Sequence, residues 1–324
     1  MCKIILVLTN FFDPTSDLVI KRIDERGLGK VVRFHPEEIV NNNNVYVRNK
    51  DDCVRIITSK LSFSAKDVGS VWYRRPSFPK IKSKEEEVSR YEELEFRALV
   101  EGLYGTLDNA RWYSDDYSMQ RASNKLHQIR VASRLGFNVP QTIICHNDLE
   151  VIKNINPSDY IVKPLNPSNC VAKNSDFQAC LNTIAFSKEL LDWYVNLEQK
   201  FPIFLQKKII KKKELRVTVI GKNIVAVAID TKNVEAIDTR ASWENSEHYL
   251  TDISDDLKDK ILSFQKYFNL NYGAFDFIVD NDNVCWFLEC NPAGQFAWID
   301  FKVEEAGLVD LMAEHLALKR EALV

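Results

Sequence analysis

The sequence lacks an excess of charge of either sign: 43 Lys and Arg stand against 46 Asp and Glu, a formal net charge of -3. Without a global basic field nothing argues for a nucleic-acid partner, and any anion site must be local. Paired cysteines are also missing. Cys2, Cys53, Cys145, Cys170, Cys180, Cys285 and Cys290 form no Cys-x-x-Cys spacing and no His tract adjoins them, which argues against a zinc ribbon or a disulfide framework and fits reduced thiols in the cytosol. Apolar runs are short: Met1 to Asn10 lacks a small-residue cleavage site, and no stretch approaches the ~20 apolar residues of a membrane span. The expectation is a cytoplasmic protein that is neither secreted nor membrane-bound. Internal repeats are absent. So are a Gly-x-x-x-x-Gly-Lys-Ser/Thr loop and a Gly-x-Gly-x-x-Gly turn, so any nucleotide phosphates must be held by something other than a P-loop or a dinucleotide fingerprint.

What is present is 324 residues, 45% of them hydrophobic, enough for two or three packed sub-domains. Lys3 to Leu8 reads as a buried parallel strand, Pro14 to Arg26 as a helix and Val31 to Phe34 as a second strand. Asn41 to Asn44 is a polar tip, Val71 to Arg75 a strand halted by Pro76, and Lys84 to Leu107 a long amphipathic helix. An N-terminal α/β domain is expected over residues 1–115. Met119, Ala122, Leu126 and Ile129 recur at helical intervals, predicting one helix from Ser118 to Leu135 closed by Gly136, with Lys125 beside its apolar stripe. Strands near 142–145 and 160–163 and a helix near 186–199 make residues 116–200 a small α+β unit. Residues 201–324 carry strands at 203–208, 214–220, 224–230, 273–280 and 284–291 and a helix at 256–268.

Period two in Glu214 to Ile220 places Glu214, Arg216 and Thr218 on one face of a strand and Leu215, Val217 and Val219 on the other. On spacing alone, that pattern fits a solvated charge face as well as a site. Asp276 interrupts an apolar strand, and Glu289 and Asn291, two apart, face one way. Carboxylates in such strands are rarely left unpaired. The three side chains supply hard oxygen ligands that suit Mg²⁺ completed by water and phosphate oxygens, and the alternative is a buried acid capped by Lys or Arg. Asp280, Asn281 and Asp282 are turn residues. Lys163 ends the strand Tyr160 to Lys163 before Pro164; with Lys125, Arg216 and a Mg²⁺ site it completes the charge complement of a triphosphate.

The order of these blocks resembles the ATP-grasp superfamily over residues 118 to 310: Lys125, Tyr160-Ile161-Val162-Lys163-Pro164, Phe204 to Ile209, Glu214-Leu215-Arg216, Phe275-Asp276-Phe277, and Phe287 to Pro292. More narrowly, Trp72-Tyr73-Arg74-Arg75-Pro76 and Asn291-Pro292-Ala293-Gly294-Gln295-Phe296 look like the graspetide synthetases, microviridin-type ligases that close ester or amide rings in a precursor peptide. The resemblance implies an ATP-grasp fold of α/β and α+β parts behind a pre-ATP-grasp α/β domain. It implies ATP and Mg²⁺ as cofactors, with Lys125 and Lys163 on phosphates and Gln206, Lys207, Lys208 and Ile209 at the adenine. It also implies Glu214 at the ribose, Arg216 at the transferring phosphate, and Asp276, Glu289 and Asn291 on the metal. A leader-bearing precursor peptide docked on the middle or central sub-domain, and a homodimer, are implied partners. The Asp-Trp-Arg segment of many graspetide synthetases is not found. Ile237 to Glu244 stands in its place, where Arg240 is the candidate contact for the substrate carboxylate and an exposed loop arginine is the plainer alternative. Arg74 and Arg75 fit substrate binding and a domain junction equally. Two other functions remain open: an ATP-grasp ligase that adds an amino acid to a protein or small-molecule carboxylate, and a nucleotide-binding regulator without turnover.

Overall fold

A computed structural model describes residues 3–40, 44–48, 53–57, 62–166, 183–230 and 246–318. The chain opens with β1 (Ile4–Leu8), buried at every position, then α1 (Pro14–Glu25) and β2 (Lys30–Phe34). Pro14 starts α1 at the one place where a missing N–H costs nothing. Three short antiparallel strands follow, β3 (Asn44–Arg48), β4 (Cys53–Ile57) and β5 (Ser62–Ser64), a sheet that the hydrophobic pattern did not announce. Then come β6 (Val68–Tyr73), α2 (Glu86–Gly105) and β7 (Arg111–Tyr113). Strands β2, β1, β6 and β7 form one parallel sheet in that order.

The single helix expected from Ser118 to Leu135 is two: α3 (Asp116–Ser123) and α4 (Lys125–Arg134). Asn124 is extended and its side chain accepts from the His127 N–H at 3.0 Å. An N-cap thus interrupts the run. The restart changes the helix phase, so Gln128, Val131 and Ala132 face the core while Leu126 is exposed. Gly136 follows α4 at φ +78°, as expected of a helix stop. A second sheet, in the order β10-β9-β11-β8, comprises β8 (Thr142–Cys145), β9 (Tyr160–Lys163), β10 (Ile184–Ala185) and β11 (Ile203–Lys207). With α5 (Leu149–Lys153) and α6 (Lys188–Asn196) it encloses its own core around Ile152, Phe186, Tyr194 and Leu205.

The third sheet is antiparallel, in the order β14-β13-β12-β15-β16: β12 (Lys211–Ile220), β13 (Asn223–Asp230), β14 (Glu247–Leu250), β15 (Tyr272–Asp280) and β16 (Cys285–Asn291). One face, with Leu215, Val217, Phe275 and Phe277, packs on α3, α4 and α7 (Asp255–Phe268). The other face packs Val227, Tyr272 and Ala274 with Trp72 and Val7 of the first sheet and with α8 (Ala297–Lys302) and α9 (Leu308–Ala317). That shared core fixes the first sheet against the third. Among the described residues no helix is long and apolar enough to cross a membrane.

Candidate active site

Register decides which side chains meet. Arg216 lies opposite Asp276, Asp276 opposite Glu289, and Asn291 opposite Ala274. Residues opposite one another share a face, so Glu214, Arg216, Asp276, Glu289 and Asn291 all look to one side. A register shift after Asp276 pairs Phe277 with Phe287 and leaves Leu288 as the extra residue of a bulge. Glu289 nevertheless stays level with Asp276.

Within this face Arg216 donates through Nη1 to both Asp276 oxygens at 2.8 and 3.0 Å and through Nη2 to the Gln295 carbonyl at 2.9 Å. Burial works against the Arg216 charge, but the Asp276 carboxylate, with Tyr272 and Glu289, outweighs it and holds the guanidinium above its ordinary value. Burial raises the Asp276 carboxyl; Arg216 opposes that shift and Glu289 adds to it. Asp276, its carboxyl raised first by burial and then by the neighbouring Glu289, forms with Glu289 a donor set that a divalent cation would relieve. With the amide of Asn291, whose Oδ1 also accepts from the Ala293 N–H at 3.0 Å, the set fits Mg²⁺ completed by phosphate and water. Among the described residues no three His, Cys, Asp or Glu side chains are placed to hold a metal ion by themselves, so nothing among them suits a closed zinc site.

Lysines enter from neighbouring elements. Lys125, placed at the first turn of α4 by the Asn124 cap, donates to the Pro164 carbonyl at 2.9 Å and lies 3.5 Å from Glu289. It thus bridges the second and third sheets. Lys163 donates to the buried Gln206 side chain at 2.7 Å, and Gln206 donates in turn to Thr142 at 3.2 Å. The backbone N–H groups of Lys207 and Lys208 are engaged by the Gln141 and Asp159 carbonyls at 2.8 and 2.7 Å. Ile209 follows, partly buried. Glu214 accepts from Lys211 at 3.0 Å, a partner that the strand pattern did not single out. Arg240 lies outside the described residues.

Three residues without a local sequence signal hold the site in place. Gln128, 3% exposed, receives the Cys290 N–H at 2.8 Å and donates to the Cys290 carbonyl at 2.7 Å, so it clamps β16 between Glu289 and Asn291. Tyr272, its phenol pushed up to about 12 by burial, donates to the Gly294 carbonyl at 2.8 Å. Gln295 accepts from Arg74 Nη2 at 2.8 Å. Arg74 also donates to the Ala293 carbonyl, as does Arg75 Nε at 2.8 Å. Arg74 is 2% exposed and faces the fully buried Asp13 at 3.5 Å. Burial drives its guanidinium down to about 10 against the pull of Asp13. Arg74 thus ties the segment after β6 to the loop after β16. Only Gln295 among the three lay within a quoted motif, Asn291 to Phe296.

Solved structures match the chain over nearly its whole length. A Chryseobacterium gregarium RiPP-associated ATP-grasp ligase, in complex with ADP and a leader and core peptide, is 27% identical with a TM-score of 0.84, covering 100% of both chains. Macrocyclase MdnC from Microcystis aeruginosa MRC, bound with precursor peptide MdnA, is 26% identical with a TM-score of 0.82 over 97% of this chain and 99% of its own. The ATP-grasp ligase PsnB, complexed with minimal precursor, Mg and ADP, shares the fold at 17% identity, a TM-score of 0.69 and coverage of 96% and 97%. No protein-family model matches the chain, and no curated protein does. The fold is that of the ATP-grasp ligases, and the resemblance to the graspetide-type members stands.

Proposed function

We propose that the protein is an ADP-forming ATP-grasp ligase that activates side-chain carboxylates of a ribosomal precursor peptide and closes them onto hydroxyl or amine side chains as esters or amides. The observation that carries this reading is the single face of β12, β15 and β16 that gathers Glu214, Arg216, Asp276, Glu289 and Asn291 beside Lys125. Full-length likeness to two peptide-bound ligases supports it. When bound, ATP and Mg²⁺ supply the phosphoryl group and the charge neutralisation that turn a carboxylate into an acyl phosphate.

The chain's own residues then have separable tasks. Asp276, Glu289 and Asn291 hold the metal, and Lys125 and Lys163 supply fixed positive charge for phosphate oxygens. Gln206 to Ile209 border the base and Glu214 takes the ribose. Arg216, aimed by Asp276 and the Gln295 carbonyl, stabilises charge that develops during transfer, at no cost of reorganisation. Arg240 contacts the substrate carboxylate. No protein nucleophile is needed. In this reading residues 1–115 form the pre-ATP-grasp domain, 116–200 the central unit that receives the leader, and 201–324 the Mg-ATP unit of a cytoplasmic homodimer.

Mass spectrometry of a precursor peptide encoded beside the gene, incubated with the enzyme, ATP and Mg²⁺, tests the reading. Loss of one water per linkage, dependent on ATP and absent in Glu289→Gln, is expected. A mass gain equal to an added amino acid would instead indicate ligation of a free substrate, and ATP binding without any turnover would indicate a regulator.

A further inference from the structure

Away from the site just described, a cavity of about 590 Å³ opens between the end of α2, β7 and the start of α3. It carries three carboxylates, Glu101, Asp115 and Asp116, and three aromatic rings, Tyr104, Trp112 and Tyr117, with no Lys or Arg in its lining. Helix capping explains part of this. Asp115 accepts from the Ser118 N–H and hydroxyl at 2.9 and 2.6 Å, and Asp116 lies in the first turn of α3, where an acid is favoured. Glu101 lies 3.9 Å from Arg97 on the exposed side of α2, a weak pair.

Arg121 already stands over the Tyr117 ring at 5.7 Å, but neither that pair nor capping explains Tyr104 and Trp112. Tyr104 stands edge-on to Trp112 at 6.0 Å and to Tyr73 at 5.7 Å. Tyr104 is 8% exposed, yet its hydroxyl finds no hydrogen-bond partner among the described residues, an arrangement that is costly unless something else satisfies it. The Trp112 indole N–H is already spent on the Leu107 carbonyl at 3.1 Å, so its ring offers a π surface and no donor. Burial first and the Asp116 carboxylate second hold the Tyr73 and Tyr104 phenols well above their ordinary value, as expected of a region of negative potential.

We infer that this cavity binds the cationic end of a Lys or Arg side chain. Aromatic faces attract such cations and carboxylates hydrogen-bond them, a guanidinium bidentately. That the side chain comes from the modified peptide rests on the function proposed above; the chemistry of the cavity does not. The eight residues of α3 separate Asp116 from the segment that presents Lys125. That helix rises about 12 Å, which roughly four extended peptide residues can span. A basic residue held here would lie about that many positions from a peptide residue beside Lys125.

The test has two arms. In the first, the full-length enzyme carries 5-fluorotryptophan, and the Trp112 fluorine resonance is assigned by its loss in Trp112→Phe. N-acetyl-arginine and N-acetyl-lysine methylamides are titrated against the neutral isostere N-acetyl-citrulline methylamide. At least one cation should shift the Trp112 resonance saturably and citrulline should not, with affinity at least tenfold weaker in Asp116→Asn and in Gly105→Leu. Gly105 lines the cavity, and a Cβ added there meets no atom within 4 Å, so the leucine occupies space in the cavity while all three acids are kept. No shift with either cation, or an equal shift with citrulline, overturns the cation site. In the second arm, Gly105→Leu should raise KM for a precursor peptide at least fivefold with kcat retained, and neutralising the peptide's basic residue should remove that difference. Saturable cation binding with an unchanged peptide KM would overturn the peptide as its source, whereas absence of any peptide product would count against the proposed function and leave the first arm standing.

Discussion

The two sheets that bring charge to the site hold it in different ways. On the five-stranded sheet, Arg216 is tied to Asp276 and to the Gln295 carbonyl, and the loop carrying Gln295 is tied in turn to Tyr272, Arg74 and Arg75. Arg74 and Arg75, just after β6 of the N-terminal sheet, therefore help to aim Arg216, about 140 positions later. On the four-stranded sheet, Lys163 rests on Gln206, and that sheet packs a core of its own. Lys125 joins the two at Pro164 and Glu289. The first arrangement suits groups that must not move as charge develops; the second suits a part that can reposition around a nucleotide.

Breaking the rigid side should cost most. Arg74→Leu strands the Asp13 carboxylate in a fully buried position, and the loss of one partner of such a pair costs about 3–5 kcal/mol; urea unfolding should show a lower midpoint with an unchanged slope. Gln128→Leu leaves the Cys290 N–H and carbonyl without their partner, at about 1–3 kcal/mol, and should raise the Mg²⁺ concentration for half-maximal turnover about tenfold through looser β16 ligands. Gly294→Ala puts a methyl 2.6 Å from the Ala274 Cβ and 2.8 Å from Arg216 Nη2. Overpacking of that kind costs about 1–3 kcal/mol, and kcat should fall more than KM for ATP changes.

On the other sheet the outcome should reverse: Lys163→Met is expected to raise KM for ATP at least tenfold and to cost only about 1 kcal/mol of stability, the low end for a buried acceptor, here Gln206, that loses its donor. A large loss of stability there would erase the contrast. The smallest effect concerns His248, at the edge of the five-stranded sheet, whose pKa is lowered mainly by burial. The unfolded chain takes up a proton there before the folded one does, so stability falls as pH drops through the ordinary histidine range. His248→Gln should flatten part of that fall in a Tm series from neutral to mildly acidic pH.

Much of this was legible from pattern alone. Period two placed Glu214 with Arg216 and Glu289 with Asn291, and pairing then brought the two sets to one face. A continuous apolar run marked β1, because a strand buried on both faces has little room for polar residues. The break at Asn124 was not legible, since Met119, Ala122, Leu126 and Ile129 keep helical spacing straight through it. What ends α3 is one side chain competing for a backbone N–H. Gln128, Tyr272 and Asp13 escaped for a related reason: each acts on a segment far along the chain, and no local periodicity reports such a contact. Asp13 occupies the N-cap position of α1, yet its side chain caps nothing and instead accepts from Thr9 at 2.9 Å and faces Arg74.

The central claim is that Asp276 and Glu289 make this face a carboxylate-activating site, and trapping the activated carboxylate tests it most directly. Precursor peptide, ATP and Mg²⁺ would be incubated with hydroxylamine and the peptide examined for hydroxamates at its Asp and Glu side chains. The account predicts hydroxamate with the wild-type enzyme, and at least a hundredfold less with Glu289→Gln at an unchanged Tm, a loss on the scale of removing one electrostatic stabiliser of the transition state. Equal yields from the two proteins would contradict it.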